Sequence, residues 1–492
     1  MTKKTFLHGA VILSAAAIII KIIGACFRIP LGNLIGDEGM AYYSAPYAAY
    51  SLLVTISTAG IPVAVSRLVA ERVTEDDPAG ATRVLRISLT LMALLGIVFF
   101  CVLFFGAEFI TADIQKIDGA FIAMRALAPA LLFVPVMAAL RGYFQGMQNM
   151  KPTAASQLIE QLFRVICGLI LAVALISMGT EYAAAGGTFG ATAGGAAGLV
   201  VMLVLYSRFR KQSSFRKRRE EARQLRDARR ESTLHIIGKI LAIAVPIIIG
   251  ASILPIMYNI DAAVVTRRLI SAGYSKVEAL SMFGGLVGFA EPIIGLPKVL
   301  TQALAISMVP TVVRAFKQKD RDFLHYNVTL GLRFALIIGL PCTVGLMILS
   351  EPVMRLLYAS KLEGAVAAAP SLFIFAIGIV FLCSIDALTS VLQGVGKQMI
   401  PVVNIAIGAA FKLVLTFTLT GTTLFNVKGA AIGTVAAYAV ATLLNYRAVV
   451  TYTGTRFDPK LTFVRPLISV AAMGVVSAAV YYAAAGAAGN AV

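Results

Sequence analysis

Residues Ala365–Ile385 read AVAAAPSLFIFAIGIVFLCSI, and none of these 21 side chains carries a charge. An α-helix rises 1.5 Å per residue, so a run of this length crosses the roughly 30 Å hydrocarbon core of a bilayer. Gly39–Ser66, Ile87–Ala107, Tyr182–Ser207, Ile240–Ile260, Gly429–Tyr446 and Pro466–Val492 are charge-free in the same way. Inside lipid only helices and closed barrels satisfy their own backbone, and these blocks lack the strict alternation of a barrel strand. Of the 492 residues 59% are hydrophobic and 14% charged, against about 25% charged in an ordinary soluble chain. The chain therefore reads as an all-α, polytopic membrane protein.

Thirteen spans follow, at roughly 9–35, 41–66, 86–107, 119–140, 153–178, 182–207, 237–262, 283–312, 328–350, 366–392, 399–420, 428–450 and 463–486. Lys21 and Arg28 lie within the first and no cleavage-site pattern follows it, so it reads as a retained span rather than a signal peptide. With the N-terminus inside, alternate loops hold 29 of the 43 Lys and Arg residues. That asymmetry is the positive-inside pattern. It predicts a cytoplasmic N-terminus in a bacterial cytoplasmic membrane. The net charge of +19 is concentrated in Arg208–Glu231, with eleven basic and four acidic side chains. Such a segment reads as a topology determinant lying on anionic headgroups rather than as a nucleic-acid surface. The five cysteines (Cys26, Cys101, Cys167, Cys342 and Cys383) show no CxxC spacing and read as buried, inert thiols. The chain has no Trp, so Tyr and Phe supply the interfacial anchoring.

The two halves of the chain resemble each other. Phe144-Gln145-Gly146 matches Leu392-Gln393-Gly394 at an offset of 248. The same offset sets Arg164 on Lys412 and Ile61-Pro62 on Val309-Pro310, while Gly186-x-x-x-Gly190 matches Gly429-x-x-x-Gly433 at 243. Six spans per repeat is an even number, so the repeats insert in the same orientation, as in transporters built from parallel repeats. The expected organisation is a first six-helix bundle over 1–207, a basic cytoplasmic loop over 208–236, a second bundle over 237–452 and an extra C-terminal helix over 453–492. The Gly-x-x-x-Gly spacing points to close helix packing.

Charges inside the spans are costly and are candidates for function. Lys21 and Arg28, seven residues apart, share a helix face in a span that also holds Gly24, Pro30 and Gly32, residues suited to a bent helix. Glu160 and Arg164 have the spacing of an intrahelical ion pair, and read either as a neutral structural pair or as part of the site. Arg125 and Lys412 are single cations that line a cavity or snorkel. Glu291 and Lys298, again seven apart, lie near Pro292 and Pro297. Asp261 reads as the polar outer end of the seventh span or as an ion-coupling carboxylate. The substrate-binding candidates are thus Arg28, Lys21, Lys298, Arg125 and Arg164; the coupling or gating candidates are Glu291, Asp261 and Glu160. The three histidines (His8, His235 and His325) lie far apart, and no phosphate loop, nucleophile elbow or metal spacing is present. The chain does not read as an enzyme.

Three stretches carry a family resemblance. They are Thr5-Phe6-Leu7…Gly24…Ile35-Gly36-Asp37-Glu38-Gly39, the run Gly60–Glu71 (GIPVAVSRLVAE), and Pro135…Arg141-Gly142-Tyr143-Phe144-Gln145-Gly146…Pro152-Thr153-Ala154…Ser156-Gln157…Glu160-Gln161…Arg164. Together they resemble the polysaccharide-transport branch of the multidrug/oligosaccharidyl-lipid/polysaccharide exporter superfamily, and within it the group of stage V sporulation protein B and the Gram-positive lipid II flippases. The resemblance implies a V-shaped pair of bundles working by alternating access. It also implies translocation of an undecaprenyl-diphosphate-linked sugar, with lipid II for peptidoglycan the expected precursor, from inner to outer leaflet. No cofactor is implied; sodium, protons or the membrane potential would drive transport, and the chain is expected to act as a monomer among membrane lipids. The family usually has fourteen spans where thirteen are read here. In Gram-negative lipid II flippases an Arg follows Ala-Asp on span eight; here the run is Ala290-Glu291-Pro292, so Lys298 or Arg28 would have to compensate. Two rivals remain: a cation-coupled drug or small-molecule antiporter of the same superfamily, in which one ion-binding carboxylate dominates, and a membrane-embedded glycosyltransferase or ligase.

Overall fold

A computed structural model describes residues 3–211 and 231–487; the side chain of Lys21, like those of the opening turns of the first helix, falls outside the described set. Most of the basic loop lies outside it too. The described residues form helices and no strand, and 12 helices are long and apolar enough to cross a membrane. All thirteen expected segments are present, and the count falls by one because the first two are continuous. Helix α1 runs Lys3–Thr58 with a non-helical kink at Gly36 (φ 72°, ψ −173°). The bend was expected around Gly24, Pro30 and Gly32. Pro30 is instead absorbed within the helix, and the chain turns where a residue without Cβ can take a positive φ.

The chain forms two compact units, Met1–Ile35 with Tyr42–Asn259, and Gly36–Ala41 with Ile260–Val492. The first holds the rest of α1, α2 (Ile61–Thr74), α3 (Pro78–Phe105), α4 (Ala120–Gly146), α5 (Lys151–Leu175) and α6 (Thr180–Lys211). Helix α7 (Thr233–Ser271) begins in the first unit and ends in the second. The second unit continues with α8 (Lys276–Gly284), a π-helical stretch Gly285–Ala290, α9 (Glu291–Lys317), α10 (Arg321–Ile348) and the short α11 (Ser350–Leu357). It closes with α12 (Leu362–Gly394), α13 (Met399–Thr420), α14 (Lys428–Thr453) and α15 (Arg465–Ala487).

The internal repeat is visible as packing. In the first unit a Cβ built on Gly190 of α6 would lie 2.3 Å from the carbonyl oxygen of Arg164 on α5, and one on Gly194 2.4 Å from that of Glu160. In the second, a Cβ on Gly433 of α14 would lie 3.2 Å from the carbonyl of Lys412 on α13. The glycine stripe lets backbone meet backbone, which is how helices associate where lipid removes the hydrophobic drive. The Phe-Gln-Gly and Leu-Gln-Gly glycines do the same job on another helix pair. Gly146 of α4 abuts Ser66 and Val69 of α2, and Gly394 of α12 abuts Val309 and Val312 of α9.

Among the cysteines only Cys383 is buried; Cys26 is exposed and Cys101, Cys167 and Cys342 are partly exposed. The expectation of buried thiols fails because apolar side chains of a membrane bundle face lipid as readily as the core. At the end of the basic loop, Glu231 accepts hydrogen bonds from Lys239 and from Arg72 of α2. The Lys239 ammonium, with Arg72 beside it, holds the Glu231 carboxyl below its usual range.

Candidate functional site

The first unit gathers two arginines on one carboxylate. Arg164 Nη2 lies 3.0 Å from Glu160 Oε1, one helical turn back on α5. Arg141 Nη2, from α4, lies 2.9 Å from Glu160 Oε2. Arg141 also donates to the Ser156 hydroxyl at 2.9 Å. Two guanidiniums on one carboxylate leave the cluster with net positive charge. Its side chains are 14% (Arg141), 15% (Glu160) and 23% (Arg164) exposed, sheltered enough to strengthen electrostatics but still within reach of a ligand.

Helix α1 carries a further cation. Arg28 donates to the Ser44 hydroxyl at 3.3 Å and places its guanidinium 5.9 Å from the centre of the Tyr43 ring, within cation–π range. Tyr43, Tyr47 and Tyr50 form a ladder, with ring centroids 4.8 Å and 5.6 Å apart. Arg164 acts electrostatically on all three tyrosines, and Arg28 on Tyr43. The chain's kink at Gly36 folds the two arms of α1 against each other, so that Arg28 meets residues 43 and 44. Arg28 and Arg164 thus face one aromatic ladder.

The other sequence candidates are placed elsewhere. Arg125 is 3.0 Å from Glu108, with the two side chains 40% and 65% exposed, and its guanidinium lies over Phe104 and Phe121. It sits outside the cluster, as a surface pair. Asp261 does not end its helix, since α7 runs on to Ser271; its carboxylate is buried against Lys412 Nζ at 2.6 Å. Lys412 therefore neither lines a cavity nor snorkels. Glu291 opens α9 directly after the π-helical stretch, a feature that recurs at functional sites. Lys298 lies two turns further along α9, with Thr301 one turn beyond, and the Thr301 hydroxyl donates to Asp386 Oδ2 of α12 at 3.3 Å.

Two participants escape the sequence reading. Arg141 counts there as a loop cation, although its place beside Tyr143-Phe144-Gln145-Gly146 in the matched motif was a signal. Asp386 follows the uncharged block by one residue and reads as its polar end. Asp37 is a third polar anchor: its carboxylate accepts from Ser281 within the second unit.

A duplicated six-span body, with a cation cluster held inside one of its units, defines a multi-pass membrane protein built as a transporter. The polysaccharide biosynthesis protein family matches residues 6–316, and the chain belongs to that family. It is 28% identical over 449 residues to stage V sporulation protein B of Bacillus subtilis (strain 168), covering 91% of this chain and 84% of that protein. To the lipid II flippase MurJ of the same organism it is 27% identical over 462 residues, covering 91% and 83%. A solved inward-facing multidrug resistance MATE family transporter of the MOP superfamily superposes with a TM-score of 0.73 at 16% identity, covering 91% of this chain and 98% of that one. This last likeness is one of fold, and the fold is that of the MOP superfamily.

Proposed function

We propose that the protein is a flippase for an undecaprenyl-diphosphate-linked sugar, with lipid II as the substrate, moved from the inner to the outer leaflet by alternating access. The observation that carries this reading is the pair Arg141 and Arg164 on the single carboxylate of Glu160, with Arg28 beside Tyr43 and Ser44 on α1. Guanidiniums are forked donors that match phosphate oxygens in pairs, and a diphosphate offers two adjacent sets. The similarity to a lipid II flippase supports the same substrate class. An apolar cleft in the second unit, lined by Leu336, Leu340, Phe381, Leu443 and Leu467 among others, suits a prenyl chain. An inside-negative potential favours outward movement of a diphosphate by about 2.3 kcal/mol per charge per 100 mV, so the field alone can drive export. No catalytic group is required, and the chain acts as a transporter, not an enzyme.

The test is translocation in proteoliposomes. Fluorescent lipid II should become accessible from the far leaflet only when the protein is present, and expression should restore growth to a strain depleted of its lipid II flippase. Failure of both, with normal membrane insertion, rejects lipid II. Movement of a small cationic drug by the same vesicles would favour the antiporter.

The orientation follows from the loop charges. A cysteine introduced in the 208–231 segment should resist an impermeant thiol reagent added to intact cells, whereas one at Lys361 should be labelled. Labelling in the reverse order would place the N-terminus outside.

A further inference from the structure

At the repeat position of Arg164 the second unit carries Lys412, and this cation is sealed. Lys412 and Asp261 pair at 2.6 Å with side chains 1% and 4% exposed. In the first unit the matching cation shares its carboxylate with another arginine on a partly exposed surface; in the second the pair is one to one and buried. It is also under-coordinated. Among the described residues, Asp261 Oδ1 has no hydrogen-bond partner, and neither do the hydroxyls of Thr266, Thr416 and Thr420, all of them buried.

The pair joins two helices. Helices α7 and α13 run side by side in the same direction: Asp261 meets Lys412 and, further along both, Arg268 Nε donates to the Phe417 carbonyl at 2.9 Å. Thr416 and Thr420 follow Lys412 at four-residue intervals, on its own helix face. Unpartnered buried oxygens are rare in native proteins and call for an explanation. A buried carboxylate with an unpartnered oxygen is an oxygen donor for a hard cation. Here the positive charge beside it is the chain's own ammonium.

We propose that Lys412 is a tethered counter-cation. It permanently neutralises Asp261, so transport neither binds nor releases a monovalent cation there, and removing the ammonium uncovers a sodium- or lithium-binding site on the Asp261 oxygens. This goes beyond the substrate reading above and does not depend on it.

The experiment is thermal unfolding of the purified full-length protein in sodium, lithium, potassium or choline chloride at matched ionic strength. Wild type should give the same Tm in all four. Lys412→Met should lose roughly 5 °C in choline, because a buried carboxylate is left unpaired, and sodium or lithium should restore at least half of it along a saturating curve. Asp261→Asn/Lys412→Met should recover most of the stability and ignore the cation. A folded Lys412→Met protein indifferent to sodium overturns the proposal, as does a wild type whose Tm rises specifically with sodium. Should Lys412→Met not accumulate, Lys412→Gln, which keeps a polar side chain, is put through the same salts with the same criteria. The readout involves no lipid precursor, so its failure is distinct from failure of the substrate assignment.

Discussion

Arg28→Ala and Arg164→Ala each slow lipid-precursor translocation by about 100-fold while the proteins still insert and fold. A charge-assisted hydrogen bond to an anion contributes about 1.5–3 kcal/mol, and each 1.4 kcal/mol is a factor of ten, so losing one well-placed guanidinium has an effect of this size. Stability should barely change, for a structural reason. Glu160 is held by two arginines, and with Arg164 gone Arg141 remains 2.9 Å from its other oxygen. The carboxylate is never orphaned, and the several-kcal/mol penalty of an unpaired buried charge does not arise. What changes is the net charge of the cluster, which falls to zero. Arg164→Lys should retain part of the rate, since an ammonium keeps the charge but loses the fork. Initial rates in proteoliposomes and Tm, measured on the same preparations, separate the two effects. If Arg164→Ala flips normally, or loses rate only in step with Tm, the cluster is structural and the headgroup lies elsewhere.

The fold was largely legible because bilayer physics writes it in composition. A stretch such as Ala365–Ile385 has no reading other than burial in lipid or core, and thirteen segments of that kind leave little freedom. The duplication was legible because close packing demands glycine: Gly190 and Gly433 touch the carbonyls of Arg164 and Lys412, so the spacing survives where surrounding residues drift. The site was legible only in part. Glu160 and Arg164 are one turn apart and announce themselves, but Arg141 reaches Glu160 from another helix, 19 residues away in sequence. Asp261 and Lys412 are separated by 151 residues, and no spacing rule connects them. The kink was misplaced because proline reads as the breaker, whereas the backbone turns at Gly36 by adopting a positive φ.

The same limit bears on Lys298. Along the chain its apparent charge partner is Glu291, yet two full turns is long for direct contact, and the expected division is Lys298 on the headgroup with Glu291 as a gate. The structure supplies a second carboxylate, on the neighbouring α12. Thr301, one turn past Lys298 and buried, donates to Asp386 of α12, and the Cys383 thiol on α12 lies within electrostatic reach of both Lys298 and Asp386. Lys298 should therefore couple to Asp386 and act independently of Glu291. Lys298→Met is expected to reduce translocation by roughly 30-fold, about 2 kcal/mol at 1.4 kcal/mol per decade. Adding Asp386→Asn should cost less than the two single losses multiplied together, with a coupling of about 1–2 kcal/mol, as for charges in one network. Adding Glu291→Gln should multiply the losses to within about 0.5 kcal/mol, as independent sites do. The cycle is measured as initial rates of the singles and both doubles in one vesicle preparation. Strong coupling of Lys298 to Glu291, with none to Asp386, would mean that the α9 charges neutralise each other along the helix and that α12 takes no part in the headgroup site.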